Sequence, residues 1–240
     1  MTDGRSPGAV RAFAWCGGGV FVASLLYFVW CYAWGFGSSS AATGQTIWRS
    51  AAFDIILFSI FALHHSWFAR ARVRAWMTRH VPRALERSVY VWIASLLFIA
   101  TCALWRPVPG VVWHVDGPGG VALAGVQLAA ALAAVATARQ LDVLALAGIR
   151  QVLGEDDASP HGLQDRGLYR CVRHPIYSAW LVMVWLAPVL NGTRLVFAAV
   201  SSFYLFMAVP FEERDLVRSF GAMYESYRQQ VRWRIVPFLY

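Results

Sequence analysis

The sequence predicts an all-α integral membrane protein, a polytopic bundle of about six transmembrane helices followed by a C-terminal amphipathic helix. Of its 240 residues 58% are apolar and only 14% are charged, whereas soluble domains carry roughly 25% charged residues. The apolar residues are gathered into long segments separated by polar connections. The basic residues are concentrated in every second connection, as expected for a chain that crosses a bilayer several times.

The apolar segments cover residues 12–34, 47–68, 88–105, 121–138, 175–190 and 195–211. The first is too long for the apolar core of a signal peptide and no cleavage site follows it, so we expect it to be retained. The last two are shorter than the roughly 20 residues that a perpendicular span needs. Only a turn at Asn191-Gly192 separates them, which predicts a helical hairpin. The Pro/Gly-rich stretch 107–120 predicts an external loop.

We therefore expect residues 1–240 to form a single membrane domain. Residues 12–138 would supply four N-terminal transmembrane segments, and residues 139–240 a polar loop, the helical hairpin and the amphipathic helix. All 21 basic residues are arginines, and with the N-terminus inside, 18 of them fall on the inner side against three on the outer side. This asymmetry predicts cytoplasmic termini and an even number of crossings. It also explains the net charge of +8 without nucleic-acid binding.

Ionisable side chains lie at the inner ends of both hairpin segments. Arg173 and His174 precede Pro175, which is well suited to the first position of a helix. Glu212 and Glu213 end the sixth segment, where acidic side chains oppose the helix macrodipole and need a partner. Because the inner ends of a hairpin are neighbours, we expect these four side chains to meet. A structural salt bridge is one interpretation, and a cavity that binds a ligand is the other.

Downstream of the glutamates, apolar and aromatic residues recur on one helical face that is expected to lie on the inner membrane surface and to end near Pro237. They are Leu216, Phe220, Tyr224, Tyr227 and Val231. In the second segment, Asp54 and His65 share a face about 16 Å apart, at 1.5 Å per residue. A proton path in a transporter is an alternative for this pair, although no duplicated halves are visible. The four cysteines form no CxxC pair, so neither a disulfide framework nor a zinc site is predicted.

The C-terminal motifs resemble the isoprenylcysteine carboxyl methyltransferase superfamily, membrane enzymes that use S-adenosyl-L-methionine as methyl donor. The matching motifs are Gly167-Leu168-Tyr169, Arg173-His174-Pro175-Ile176-Tyr177, Glu212-Glu213-x-x-Leu216 and Phe220-Gly221-x-x-Tyr224-x-x-Tyr227. The resemblance implies a cofactor pocket formed by His161, Gly162, Leu163, Gln164, Tyr169, His174, Pro175, Ile176, Tyr177 and Glu212. Gln151 matches a family glutamine at a spacing that departs by a few residues.

Motifs of the N-terminal half are similar to those of bacterial methanethiol S-methyltransferases. They include His65-Ser66, Glu86-Arg87-Ser88, Trp105-Arg106-Pro107 and the stretch from Leu141-Asp142 to Arg150-Gln151. The resemblance implies an enzyme that converts methanethiol and S-adenosylmethionine into dimethyl sulfide and S-adenosylhomocysteine.

Other methyl acceptors, and a membrane protein that is not an enzyme, are alternative interpretations of the sequence. An arginine that contacts prenylcysteine in the wider superfamily is replaced here by Met207-Ala208-Val209-Pro210, which disfavours a prenylcysteine substrate. Prenylcysteines, phospholipid amines and other small thiols nevertheless remain alternative acceptors. NnrU-type proteins, which are membrane proteins without known methyl transfer, share an N-terminal half of this kind.

The implied reaction assigns roles to few side chains. A sulfonium methyl group is already electrophilic, so neither a metal nor a protein nucleophile is required. The protein must align the two reactants and raise the thiolate fraction of a thiol that is largely protonated at neutral pH. The candidates are His65 or Glu213 as the base and Arg173 as the cation that orients or stabilises the thiolate. The expected partners are a small thiol and the lipid bilayer, and the sequence predicts no oligomeric state.

Overall fold

The computed structural model describes residues 8–37, 47–68, 70–154 and 162–240. Nearly all regular structure in these residues is helical, which confirms the all-α fold class. The helices are α1 Gly8–Trp30, α2 Ile47–Phe68, α3 Ala71–Met77, α4 Arg83–Leu104, α5 Gly117–Ala138, α6 Val143–Leu146, α7 Ile149–Leu153, α8 Pro175–Trp185, α9 Gly192–Phe220 and α10 Ala222–Gln230. A π-helical turn, Cys31–Gly35, continues α1, and a 3₁₀ turn occupies Gly167–Arg170. The two strands are β1 Val111–His114 and β2 Val189–Asn191.

Among the described residues, five helices are long and apolar enough to cross a membrane, judged by length and composition. They are α1 with its π-helical continuation, α2, α4, α5 and α9. The apolar helix α8 has only 11 residues, fewer than the roughly 20 that span a bilayer. The chain is therefore an integral membrane protein with the polytopic helical architecture that its sequence predicts.

The described residues form two compact units. The first unit comprises residues 8–37, 47–68, 70–107 and 142–154, and the second comprises residues 108–141 and 162–240. In the first unit, α4 packs against both α1 and α2. Small residues of α1 permit this approach, because a Cβ atom added at Gly17 would lie 2.8 Å from Trp92 Nε1. The Trp92 indole N–H donates to Phe13 O at 3.1 Å.

The connection that carries α6 and α7 is fixed to the start of α4. Ser88 Oγ donates to Gly148 O at 2.8 Å, and Arg87 Nε donates to Leu146 O at 3.0 Å. Gly148 has φ +77°, and a Cβ atom there would lie 2.5 Å from Ser88 N. Both the backbone conformation and the close contact therefore require glycine at this position.

In the second unit, α5 packs along α8, and an antiparallel ribbon joins the segments that precede α5 and α9. Gln127 of α5 donates to Met183 O at 2.6 Å, and the Trp113 indole donates to Ala187 O at 2.9 Å. The ribbon lies partly in the stretch predicted to be an external loop. Strands of only three and four residues are too short to show a clear alternation of apolar and polar side chains, so the sequence alone does not reveal them.

The hairpin differs from its prediction at both arms. Helix α8 ends at Trp185 because Leu186 leaves helical geometry, with φ −94° and ψ 35°. Helix α9 continues through Pro210 and the glutamates as far as Phe220. The predicted amphipathic face is consequently divided, because Gly221 with φ +54° and ψ −128° ends α9, and α10 begins at Ala222.

The start of α9 is fixed by several contacts within the second unit. Asn191 Oδ1 caps the helix by accepting from Arg194 N at 2.9 Å. Gly192 N donates to Gly110 O at 2.8 Å, and Thr193 Oγ1 accepts from Val108 N at 2.9 Å. These bonds hold the stretch before β1 directly against the first turn of α9.

We predict that Gly192→Ala destabilises the protein. The added Cβ atom would lie 2.5 Å from Pro109 O and 2.7 Å from Val108 O. Since backbone oxygens cannot rotate away, the free energy of unfolding in detergent should fall by about 1–3 kcal/mol, as for other overpacked sites. The matched control is Gly125→Ala in α5, where no atom lies within 4 Å of the added Cβ. Equal stability of the two variants would contradict the predicted clash.

Candidate functional site

The charged residues at the inner ends of the hairpin meet in the second unit, as the sequence predicts. Glu213 accepts from Arg173 Nε at 2.7 Å through Oε1 and from Arg234 Nε at 3.2 Å through Oε2. The side chains of Arg173 and Glu213 are only 8% and 6% exposed. Burial works against the charge of Arg234, but the Glu213 carboxylate raises the pKa of that guanidinium overall. Glu213 is thus a buried carboxylate held between two cations.

Arg173 is placed by the residues that follow α10. Its backbone N–H donates to Trp233 O at 2.9 Å, and that of His174 donates to Arg234 O at 2.8 Å. The Arg173 guanidinium also donates through Nη1 to Val231 O at 3.1 Å. A cation beside carbonyl groups at the end of a helix interacts favourably with the helix macrodipole. One arginine therefore joins the start of α8 to the end of α10.

Glu212 has different surroundings from its neighbour. Its side chain is 43% exposed, and Oε2 accepts from Tyr177 Oη at 2.7 Å. The buried His174 ring lies between the two glutamates, with Nδ1 3.7 Å from Glu212 Oε2 and Nε2 3.5 Å from Glu213 Oε1. His174 and Tyr177 stack with their ring centroids 5.3 Å apart and an interplanar angle of 4°. An accessible carboxylate thus borders two stacked rings.

Tyrosines from the inner loop and from α10 form the next layer. Tyr227 Oη donates to Tyr169 O at 2.7 Å, which ties α10 to the 3₁₀ turn. Burial raises the pKa of Tyr169, and the Glu212 charge raises it further, so this phenol is protonated at neutral pH. Tyr224 and Tyr227 belong to a buried cluster, which we call the tyrosine cluster. Its remaining members are Val231 and the packed side chains Leu163, Leu216, Val217 and Phe220.

A cavity of about 290 Å³ opens beside this layer. It is lined by Asp165, Arg170, Tyr227, Gln230 and Val231. Its wall is connected to the ion pair, because Val231 O accepts from Arg173. The second unit therefore combines a buried charge cluster, an exposed carboxylate and a neighbouring polar cavity.

Apart from Glu212 on α9, the predicted cofactor residues of the second unit lie in the inner loop and at the start of α8. Pro175 is at the first position of α8, as predicted, and Ile176 follows it half-buried. In the inner loop, Gly162 is exposed, whereas Leu163 and Gln164 are half-buried. His161 lies outside the described residues, so its predicted role is not addressed by the structure.

Two predicted site residues belong to the first unit. His65 Nδ1 lies 2.9 Å from Tyr90 Oη, and Tyr90 is buried. Gln151 Nε2 donates to Ala145 O at 3.5 Å. Within the part of the chain that the structure describes, Gln151 Oε1 is buried without a hydrogen-bond partner. The roles assigned to both residues remain predictions.

The sequence interpretation missed Arg234, which holds the second oxygen of Glu213. A signal was available, because two adjacent acidic residues at the end of an apolar segment call for more than one cation if they are buried. Arg173 was identified from its position before Pro175, but Arg234 lies 21 residues beyond Glu213 with a helix between them. Only the return of the chain after α10 brings it back to α9.

Comparison with known proteins identifies relatives over most of the chain. It is 37% identical over 182 residues to methanethiol S-methyltransferase 1 of Bradyrhizobium diazoefficiens, covering 74% of this chain and 64% of that protein. It is 31% identical over 206 residues to the methanethiol S-methyltransferase of Crocosphaera subtropica, covering 84% and 80%. It is 34% identical over 194 residues to that of Mycobacterium tuberculosis, covering 79% and 80%.

No protein-family model matches the chain, and no solved structure matches it. These relatives are sufficient to assign the family, because two of them are more than 30% identical to this chain over four fifths of their own length. The resemblance carried by the sequence motifs is confirmed. The chain therefore belongs to the methanethiol S-methyltransferase family of membrane enzymes.

Proposed function

We propose that this protein is an S-adenosylmethionine-dependent methyltransferase that converts methanethiol, or a similar small thiol, into dimethyl sulfide. The observation that carries the proposal is the arrangement around Glu212, an exposed carboxylate beside the stacked rings of His174 and Tyr177. Membership of the family supports the same reaction.

The residues present suit a cationic nucleoside ligand. A carboxylate attracts positive charge, and the faces of aromatic rings do so as well. The His174 ring is held beside this carboxylate, with Nε2 3.5 Å from Glu213 Oε1 and without a hydrogen bond to the described residues. We assign Glu212, His174, Tyr177 and Tyr169 to this ligand, with Leu163 as an apolar contact. When bound, S-adenosylmethionine supplies an electrophilic methyl group on a sulfonium sulfur.

Glu213 and Arg173 fit a positioning role better than a chemical one. Both oxygens of Glu213 already accept from arginines, and its side chain is nearly inaccessible. Arg173 is engaged by Glu213 and by the carbonyls that follow α10. We infer that this pair holds Glu212 and His174 in place. His65, the other candidate base, stays a prediction from the sequence.

A membrane setting suits the proposed substrate. Methanethiol and dimethyl sulfide are small and weakly polar, so both partition readily into apolar surroundings. We place the site and both termini on the cytoplasmic side of a bacterial inner membrane, because 18 of the 21 arginines fall on that side. This placement requires α8, with the extended residues that follow it, to complete an even number of crossings. This orientation gives the site access to the cytosolic methyl donor.

We expect purified protein in detergent or nanodiscs to release S-adenosylhomocysteine when supplied with S-adenosylmethionine and methanethiol. Headspace gas chromatography should detect dimethyl sulfide in equal amount. A prenylcysteine and phosphatidylethanolamine serve as competing acceptors in parallel reactions. Turnover with either of these and none with methanethiol would reject the proposed substrate while retaining the methyltransferase.

We expect Glu212→Gln to weaken S-adenosylmethionine binding about 10-fold or more, the usual effect of losing one charged hydrogen-bonding group. The measurement is a dissociation constant from calorimetry. Asp215→Asn is the matched control, since Asp215 is an exposed acid on the same helix paired with Arg218 at 3.0 Å. Equal affinities in the two variants would remove Glu212 from the binding site.

We expect Glu213→Ala to lower the free energy of unfolding by about 3–5 kcal/mol, because it leaves a buried arginine uncompensated. Unfolding in mixed micelles measures this loss. Asp215→Ala, which breaks an exposed ion pair, should change stability by less than about 1 kcal/mol. A Glu213→Ala variant of wild-type stability that has lost turnover would instead favour the role of Glu213 as the base.

A further inference from the structure

Two buried side-chain polar atoms in the described part of the second unit have no hydrogen-bond partner, His174 Nε2 and Tyr224 Oη. Folded proteins leave few such groups unpaired, because each one loses its bond to water without gaining another. His174 Nε2 has Glu213 Oε1 3.5 Å away. Tyr224 belongs to a motif shared with the superfamily and to the apolar face of the predicted amphipathic helix, and neither accounts for an unpaired buried hydroxyl.

Tyr224 lies on α10 and is 1% exposed. Burial raises the pKa of its hydroxyl, and the Glu213 charge raises it further, whereas Arg173 lowers it. On balance the pKa is raised, so the hydroxyl stays protonated at neutral pH and Tyr224 Oη is available as an O–H donor. Val231, another member of the tyrosine cluster, accepts from Arg173 Nη1 at 3.1 Å through its carbonyl group, so the cluster adjoins the Arg173–Glu213 ion pair.

Tyr224 is buried in the tyrosine cluster, against which the apolar side chains of Leu163, Leu216, Val217 and Phe220 pack. A charged group such as the carboxylate of an amino acid would lose its hydration against these side chains at high cost. A small apolar molecule with a single hydrogen-bond acceptor suits them better. An alkanethiol whose sulfur accepts one hydrogen bond has this character.

We propose that Tyr224 Oη donates a hydrogen bond to the sulfur of the acceptor thiol, and that the tyrosine cluster forms the acceptor subsite. This inference rests on the proposed function. A donor directed at the sulfur stabilises the thiolate relative to the thiol. In the reaction, the acceptor sulfur contributes the electron pair of the new bond to the methyl carbon. The bond from that carbon to the sulfonium sulfur breaks, its electron pair stays on the donor sulfur, and the thiol proton passes to solvent.

The test is Tyr224→Phe, which removes the hydroxyl and keeps the ring. We expect kcat/KM for methanethiol to fall about 10-fold or more, while the KM for S-adenosylmethionine stays unchanged. The loss should be smaller for 2,2,2-trifluoroethanethiol, a more acidic thiol that needs less help to ionise. The thermal unfolding temperature without ligands should equal or exceed that of the wild type, because the removed hydroxyl had no partner to lose.

Tyr227→Phe is the matched control on the same helix. Tyr227 Oη donates to Tyr169 O at 2.7 Å, so its removal should lower the unfolding temperature. A Tyr224→Phe variant with wild-type kcat/KM for methanethiol would overturn the inference. An unfolding temperature that falls as far as in Tyr227→Phe would also overturn it, because it would reveal a structural partner.

A binding measurement separates this inference from the proposed function. If the wild type does not turn over methanethiol, the proposed substrate is wrong. The inference about Tyr224 is then tested by binding, as the rise in unfolding temperature that methanethiol causes in the presence of S-adenosylhomocysteine. A rise in the wild type that is lost in Tyr224→Phe supports the subsite. The same rise in both proteins, or none in the wild type, overturns it.

Discussion

The buried carboxylate of Glu213 is the constraint on which the rest of the site depends. A charge that is 6% exposed is tolerated only when it is paired and hydrogen-bonded, and Glu213 meets this condition through two arginines from different segments. One arginine precedes α8 and the other follows α10. The ion pairs therefore fix three segments relative to one another at the point where α8, α9 and α10 meet.

That constraint separates the roles of two adjacent glutamates. Successive residues on an α-helix point about 100° apart, because a turn holds 3.6 residues. Once Glu213 is directed at the arginines, Glu212 must face another way, and it emerges beside Tyr177 with much of its side chain exposed. The paired acids thus combine a structural salt bridge with an accessible carboxylate. The salt-bridge interpretation thus applies to Glu213, and the ligand-binding interpretation remains our proposal for Glu212.

Much of this architecture could be predicted from the sequence. Segment 47–68 coincides with α2, and Pro175 opens α8 as its fixed backbone angle favours. What could not be predicted depends on contacts between distant residues. The ribbon requires β1 and β2 to meet although the helices α5 to α8 lie between them in the chain, and Arg234 reaches Glu213 only after the chain turns back beyond α10.

The break at Gly221 has a different origin and a consequence for the site. The helical pattern of apolar residues runs through it without interruption, so periodicity alone predicts one helix, but glycine permits the positive φ that ends α9. An unbroken helix would carry Tyr224 away along the axis of α9. The break instead lets α10 fold back, so that Tyr224 is buried and Val231 O reaches the Arg173 guanidinium. Because glycine can adopt this backbone conformation, residues that the sequence pattern assigns to the face of a surface helix form part of the wall of the candidate site instead.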